Sequence, residues 1–362
     1  MKITVVGGGG TGAAIASDMI AAGHDVTMYE QETCKGCLPD IEAAGVIRRI
    51  GNGPQGEVPA PKITYNPAEA FANADVVFIA IIACRHREVC KEIVPHLQDG
   101  QIVCFLSGNC GSVTLKQMLP GRDILVGETV ASYTTTRYRG DATVYYASPV
   151  PAPKPVVAFP AKDSKEFTRI LNGCYSSICY PDTPVRYAFE AALNSPNVTC
   201  HLLGTILNVS AMEKSLDFRL YRDGLTPSVL KAMFAMGKER EQVIEKFGWV
   251  GNLYDAVGVI NACANFDEKP LPHLAGFRLS TGPSSTKHRY LTEDAYSCGP
   301  ILSSLGKVCG VPTPATDAGV ALASILNDID YQEEGITLKN YGLEGCTVEQ
   351  INHYLETGEL PE

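Results

Sequence analysis

The sequence lacks an excess of positive charge: 30 Lys and Arg stand against 40 Asp and Glu, for a formal charge of −10 over 362 residues. Such a chain is not built to hold nucleic-acid phosphates or an anionic membrane surface. A long apolar run is also missing. The longest, from Ala74 to Ala83, contains Asp75 and falls well short of the roughly 20 residues that span a bilayer. The opening Met-Lys-Ile-Thr-Val-Val breaks into glycine too early for a secretory apolar segment. There is no framework of paired cysteines either. The 13 cysteines are odd in number and scattered, several of them in apolar runs. They read as reduced thiols, and the expected location is the cytoplasm. Cys34 and Cys37 form a lone CxxC without a second pair at zinc spacing, so no metal site is expected. Repeats and low-complexity segments are absent. What remains is ordinary globular composition, 45% hydrophobic and 19% charged. At roughly 150 residues per domain the length suits two domains.

The first half alternates strand and helix signals. Ile3 to Val6 is a β-branched run that leads into Gly7-Gly8-Gly9-Gly10-Thr11-Gly12. An alanine-rich helix, Ala13 to Ala22, follows and is stopped by Gly23. Asp25 to Tyr29 reads as a second strand and ends on Glu30. Gly7 permits the tight turn, Gly9 allows close approach of a pyrophosphate, and Gly12 lets the helix pack. With Gly10 and Thr11 they form a phosphate cradle at a helix start, where the macrodipole favours anions. Glu30 is placed to accept hydrogen bonds from a ribose. It would repel a 2′-phosphate, and no arginine follows it closely, so NAD is expected over NADP. A glycine-rich turn with no ligand is the plain alternative, but strand and helix flank this motif correctly.

Further strands are expected at Val76 to Ile82, Ile102 to Leu106, Ile124 to Val126, Val144 to Ala147 and Val156 to Phe159, with a helix from Arg85 to Leu97. The pattern predicts an α/β doubly wound (Rossmann) domain over residues 1–185. The segments after its strands, around Gly7, Ala83, Ser107 and Thr129, should rim one cleft. His86 reads as a helix-start or cofactor contact. Residues 186–362 read as an all-α domain. Helical patterns cover Phe189 to Glu213, broken at Ser195-Pro196, then Pro227 to Phe247, Pro300 to Val308 and Ala315 to Ile329. A capping box at Thr347 and Gln350 opens a terminal helix.

Asn197, His201, Gly204 and Asn208 recur on one helix face. A polar stripe in an apolar helix lines something wet or is paired. On spacing alone, a core histidine satisfied by asparagine fits equally well. Arg289, Glu293 and Asp294 lie just before an expected helix, where a solvated ion pair is the plain reading.

Together these stretches resemble the opine dehydrogenases, the octopine/nopaline dehydrogenase family. The Asn-rich approach to His201 is similar to that family's histidine helix. Arg289-Tyr-x-x-Glu293-Asp294, followed by Leu305-Gly306 and Gly310-Val-Pro-Thr-Pro314, is similar to its C-terminal signature. Glu128-Thr129 with Tyr133 and Arg137 resembles a third segment, with Ser132 where proline is usual. The resemblance implies a reductive condensation: the amine of an amino acid joins a 2-oxo acid such as pyruvate, and NADH reduces the imine. It implies a catalytic pair of His201 and Asp294, with Glu293 as a rival. Arg289 would clamp the oxo-acid carboxylate, and Asn197 and Tyr133 join it as expected substrate contacts. A carbonyl or 2-hydroxy acid reductase of related architecture is the alternative, with Lys214 or Lys231 as proton donor. A dinucleotide-sensing binding protein is a third reading. The oligomeric state stays open, a homodimer being one reading. Residues 327–362 carry nine acids against Lys339, so most of the net charge belongs to the tail and not to the expected cleft.

Overall fold

A computed structural model describes residues 1–132, 134–147, 154–174, 184–195, 197–251 and 255–361. Two compact units emerge, 1–191 with 355–357 and 192–354 with 358–362.

The first unit starts with β1 (Lys2–Val6), α1 (Gly10–Ala21), β2 (Asp25–Tyr29) and α2 (Leu38–Ala44). Then come β3 (Val46–Gly51), β4 (Gly56–Pro59), β5 (Lys62–Thr64), α3 (Pro67–Phe71), β6 (Val76–Ile79) and α4 (His86–Ile93). The unit continues through β7 (Ile102–Phe105), α5 (Gly111–Gln117), β8 (Leu125–Thr129), β9 (Thr136–Tyr138), β10 (Thr143–Tyr146), β11 (Val156–Ala158) and α6 (Ser164–Cys174). Seven strands form the main sheet in the order β11-β8-β7-β6-β1-β2-β5. All are parallel except β11, which runs antiparallel to β8. From β1 the sheet grows outward through β2 to β5, then resumes on the other side with β6. That reversal between β1 and β6 is the topological switch point of a doubly wound fold.

Period-two alternation explains the continuous apolar runs, because both faces are covered. Val76 and Phe78 of β6 face Ala13, Ile15 and Met19 of α1 and Phe167 of α6. Val77 and Ile79 face Phe71, Val89, Ile93 and Leu115 of α3, α4 and α5.

Three strand expectations are corrected. Val76 to Ile82 ends as a strand at Ile79, because the chain turns against Gly7, where a Cβ would lie 2.5 Å from the Ala80 carbonyl oxygen. Gly127-Glu128-Thr129 completes β8 instead of following it. Val144 to Ala147 does not join the main sheet. It forms β10 of a second, four-stranded sheet ordered β4-β3-β10-β9. Val144 and Tyr146 are buried while Thr143 and Tyr145 are half-exposed, the pattern of a sheet with one covered face. The Tyr146 hydroxyl anchors it to α1, 3.1 Å from Ser17 Oγ and 3.2 Å from Asp18 Oδ1.

Helices continue with α7 (Ala188–Leu193), α8 (Asn197–Ile206), α9 (Val209–Lys214), α10 (Pro227–Phe247), α11 (Ala256–Ala264) and α12 (Ala275–Leu279). The last are α13 (Arg289–Tyr296), α14 (Cys298–Cys309), α15 (Pro314–Asn327), α16 (Tyr331–Glu334) and α17 (Val348–Thr357). The expected near-continuous helix over 189–213 is therefore three helices. Asn208 ends the second by donating its amide to the carbonyls of Gly204 at 2.8 Å and Gly224 at 3.1 Å. The capping box of α17 is present: Gln350 N–H donates to Thr347 Oγ1, and Thr347 N–H to Gln350 Oε1. Among the described residues no helix is long and apolar enough to cross a membrane.

Glu239 of α10 is buried and caps α15. Its carboxylate accepts from the N–H groups of Ala315 and Thr316 at 2.7 and 3.0 Å and from the Thr316 hydroxyl at 2.7 Å. Removing it orphans three donors at a helix start. Glu239→Ala is expected to destabilise the fold by about 2–3 kcal/mol, read as a lowered urea midpoint. Glu239→Gln, which keeps one acceptor, should fall between. An unchanged midpoint in the alanine variant would show that water replaces the cap.

Candidate active site

The first unit offers a turn suited to a dinucleotide. Gly7 has φ +119°, open only to glycine without strain. Gly12 packs so closely that a Cβ would lie 2.0 Å from the Gly7 oxygen, whereas a Cβ at Gly9 would meet nothing within 4 Å. Gly9 caps α1 with no side-chain hydrogen bond, and no carboxylate lies in the first turn. The N–H groups at that open end suit an anionic pyrophosphate. Gly10 has a different reason: a Cβ there would approach the backbone of Arg137 and Tyr138 at 3.0–3.3 Å. The Thr11 residue sits half-buried in the same turn.

Glu30 ends β2 against this turn and is buried. Its Oε2 accepts from the Gly8 N–H at 2.7 Å and its Oε1 from the Gln31 N–H at 3.0 Å. The segment after it closes on the same turn, Cys37 N–H donating to the Gly8 carbonyl at 2.8 Å. Cys34 and Cys37 are free thiols, and among the described residues no group of ligands could hold a metal ion. Ala83 is buried at the start of the short turn after β6. His86 begins α4, with Nε2 3.2 Å from the Ile81 carbonyl oxygen and its ring edge-on to Phe105. Burial pushes its pKa down to about 4, so it stays neutral.

Of the Glu128…Arg137 stretch, Glu128 lies in β8 and Arg137 in β9. Glu128 is fully buried and ties down the turn before α5, accepting from Cys110 and Ser112 N–H at 3.1 and 3.0 Å. Burial raises its pKa against those hydrogen bonds. Arg137 lies in β9, beside Gly10. Tyr133 lies outside the described residues.

The second unit holds a buried histidine–carboxylate pair. His201, in the middle of α8, is 3% exposed and Asp294 of α13 is 2% exposed. Nδ1 of the ring lies 3.2 Å from Asp294 Oδ2, and Nε2 lies 3.1 Å from Tyr221 Oη. Tyr290 stacks on the ring at 3.7 Å with an interplanar angle of 12°. Burial opposes charge on the imidazole, but the Cys200 sulfur and the Asp294 carboxylate outweigh it, and the pKa stands well above 6.5. Tyr221 is held protonated: burial, then the neighbouring Cys200, raise its pKa well above 10.

Arg289, Glu293 and Asp294 were expected just before a helix but lie within α13. A helical step separates the two carboxylates. Glu293 turns to Arg289, 3.0 Å from Nη1, while Asp294 turns to His201. Arg289 is exposed at the start of the helix. Asn197 opens α8 and is half-buried, whereas Asn208, the far end of the expected stripe, holds backbone carbonyls. Lys214 and Lys231 are both exposed. Tyr221 was not anticipated, since nothing in Leu-Tyr-Arg-Asp-Gly marks it by spacing.

Residues 184–327 match the alpha-helical domain model of the NAD/NADP octopine/nopaline dehydrogenases. The helical unit of this chain carries that family's domain. Residues 2–105 match the coenzyme F420-dependent NADP oxidoreductase model. An opine dehydrogenase from Arthrobacter sp. (strain 1C) is 26% identical over 97% of this chain and 98% of its own length. Protein ocs of Agrobacterium vitis is 18% identical at the same coverage. An octopine dehydrogenase solved with NADH and L-arginine has a TM-score of 0.73 at 16% identity, covering 100% of this chain and 99% of that one. The chain is accordingly a nicotinamide-dependent oxidoreductase. Part of its C-terminal signature is structural: Gly310 closes α14 in the left-handed region, and Pro314 starts α15 under the Glu239 cap.

With the folded pKa of His201 above 6.5, the stabilisation it brings is full below 6.5 and is lost as pH rises through the folded value. Asp294→Asn should bring the His201 pKa, followed by NMR titration, down towards 6.5 and flatten that alkaline loss. A His201 titration unaltered by the substitution would rule out the ion pair as its cause.

Proposed function

We propose that the chain condenses the amine of an amino acid with the carbonyl of a 2-oxo acid and reduces the resulting imine, as an opine dehydrogenase. The buried His201–Asp294 pair, set in a unit that matches the octopine/nopaline dehydrogenase helical domain, is the observation that carries this reading. Reduced NAD, when bound, supplies the hydride. The turn at Gly7, Gly9 and Gly12 holds its pyrophosphate on the N–H groups of α1, and Glu30 takes the ribose hydroxyls. Glu30 itself disfavours a 2′-phosphate; beside it the Gln31 amide donates to Glu88 and Glu92, while Arg85 donates to the Gln31 carbonyl and pairs with Glu88.

Carbinolamine formation and loss of water need proton transfers near neutral pH, which histidine is suited to supply. Asp294 fixes the ring and keeps it charged, so His201 enters the condensation as an acid. Arg289 orients the oxo acid through a charge-assisted contact to its carboxylate, and Asn197, at the start of the histidine helix, adds a polar contact. The partners are thus small molecules, an amino acid and a 2-oxo acid.

NADH oxidation should require amine and oxo acid together, and NADPH should replace NADH poorly. His201→Ala should lower kcat by about 10²–10⁴-fold while the Kd for NADH stays within about twofold. Oxidation that proceeds without any amine would favour the 2-hydroxy acid reductase reading instead. Arg289→Met should raise KM for the oxo acid about tenfold or more, the worth of one charge-assisted hydrogen bond. A rise confined to KM for NADH would reassign this guanidinium to the dinucleotide phosphates.

A further inference from the structure

The His–Asp pair leaves one polar group of the centre without a role, the hydroxyl of Tyr221. It lies 3.1 Å from His201 Nε2 and 3.3 Å from Cys200 Sγ. Around the imidazole, Nδ1 is taken by Asp294, and Tyr290 lies flat on one face. Nε2 is the atom left for proton exchange, and Tyr221 Oη sits on it.

The direction of these bonds follows from the charge on the ring. A protonated imidazole has two N–H donors and no acceptor. Nδ1–H donates to the carboxylate and Nε2–H donates to the phenol oxygen. The phenol keeps its own O–H, and among the described residues its second neighbour is the Cys200 sulfur. Sulfur is a weak acceptor, so this proton is readily turned to a stronger oxygen base. Tyr221 belongs to a single π-helical turn, Leu220–Gly224, and such turns gather at functional sites. Its ring is buried and edge-on to Phe277 at 5.8 Å. Gly204 allows the turn to close on α8, since a Cβ there would come 3.3 Å from Leu220 Cδ1.

We propose that Tyr221 Oη is the proton-transferring group that meets the substrate, with His201 as the acid behind it. This rests on the opine dehydrogenase reading. As the carbinolamine loses water, Tyr221 O–H gives its proton to the departing oxygen. The C–O bond breaks with its electron pair on oxygen, and the nitrogen lone pair closes the C=N bond. The Nε2 proton of His201 moves to the phenol oxygen in the same event. One water has formed, the phenol is restored, and the positive charge has passed from the imidazolium to the iminium. Asp294 stays anionic throughout.

Tyr221→Phe keeps the ring and removes the hydroxyl. In the substrate-free protein the His201 pKa, read by NMR, should fall, because the imidazolium loses an acceptor. A rise, or no change, would mean that the phenol does not accept from Nε2–H, and would overturn the relay. With a productive amine and oxo acid, kcat should drop about 100-fold or more at constant KM for NADH. The dependence of kcat on the deuterium fraction of the solvent should change from curved, with two protons in flight, to linear. A kcat within about threefold of the parent, with the solvent dependence unchanged, would show that His201 acts alone. If no amine and oxo-acid pair turns over even in the parent, the opine reading fails, and the titration still decides the direction of the Tyr221–His201 bond.

Discussion

A charged imidazole inside a helical core persists only if its charge is matched and its protons are received. His201 meets that condition through Asp294 on one nitrogen and Tyr221 on the other. Removing one partner of a buried pair costs about 3–5 kcal/mol if the other keeps its charge, so the protonation state of the ring and the packing of these helices are one problem. The close approach is permitted by small residues. A Cβ at Gly299 of α14 would come 2.5 Å from Val320 Cγ2, and one at Gly319 of α15 would come 3.0 Å from Leu203 Cδ2. α14 and α15 thereby close around α8 and leave the histidine buried.

The two units divide the chemistry. The first presents a turn suited to an anion, whose glycines have separate reasons: one for its backbone angle, two for packing and one for open space. The second presents a buried imidazole and its counter-ion. The negative charge concentrated in the tail partly serves structure there, since Asp330 caps α16 through the N–H groups of Gln332 and Glu333.

Local features were the legible ones. The strand, glycine turn, helix and second strand over residues 3–29 follow from a short window of patterning, as do α10 and the capping box of α17. The second sheet was not visible, because its central pairing joins β3 to β10 across nearly a hundred residues and its strands are short. The proximity of His201 and Asp294, 93 residues apart, was reachable only through a family resemblance. The helical step between Glu293 and Asp294 turns the first to Arg289 and the second to His201. The buried carboxylate of Glu128, which holds the turn before α5, carried no role in the sequence beyond its place in a resembling segment. Tyr221 carried no sequence signal, because its partners lie on a different helix and its π-turn has no distinctive spacing.

In the proposed reaction, hydride goes to a carbon already joined to an amine. The mass of the product formed from deuterated NADH, an amino acid and a 2-oxo acid tests this. One deuterium is expected in a secondary amine that contains both carbon skeletons. Deuterium found in a 2-hydroxy acid, with the amino acid unchanged, would contradict it.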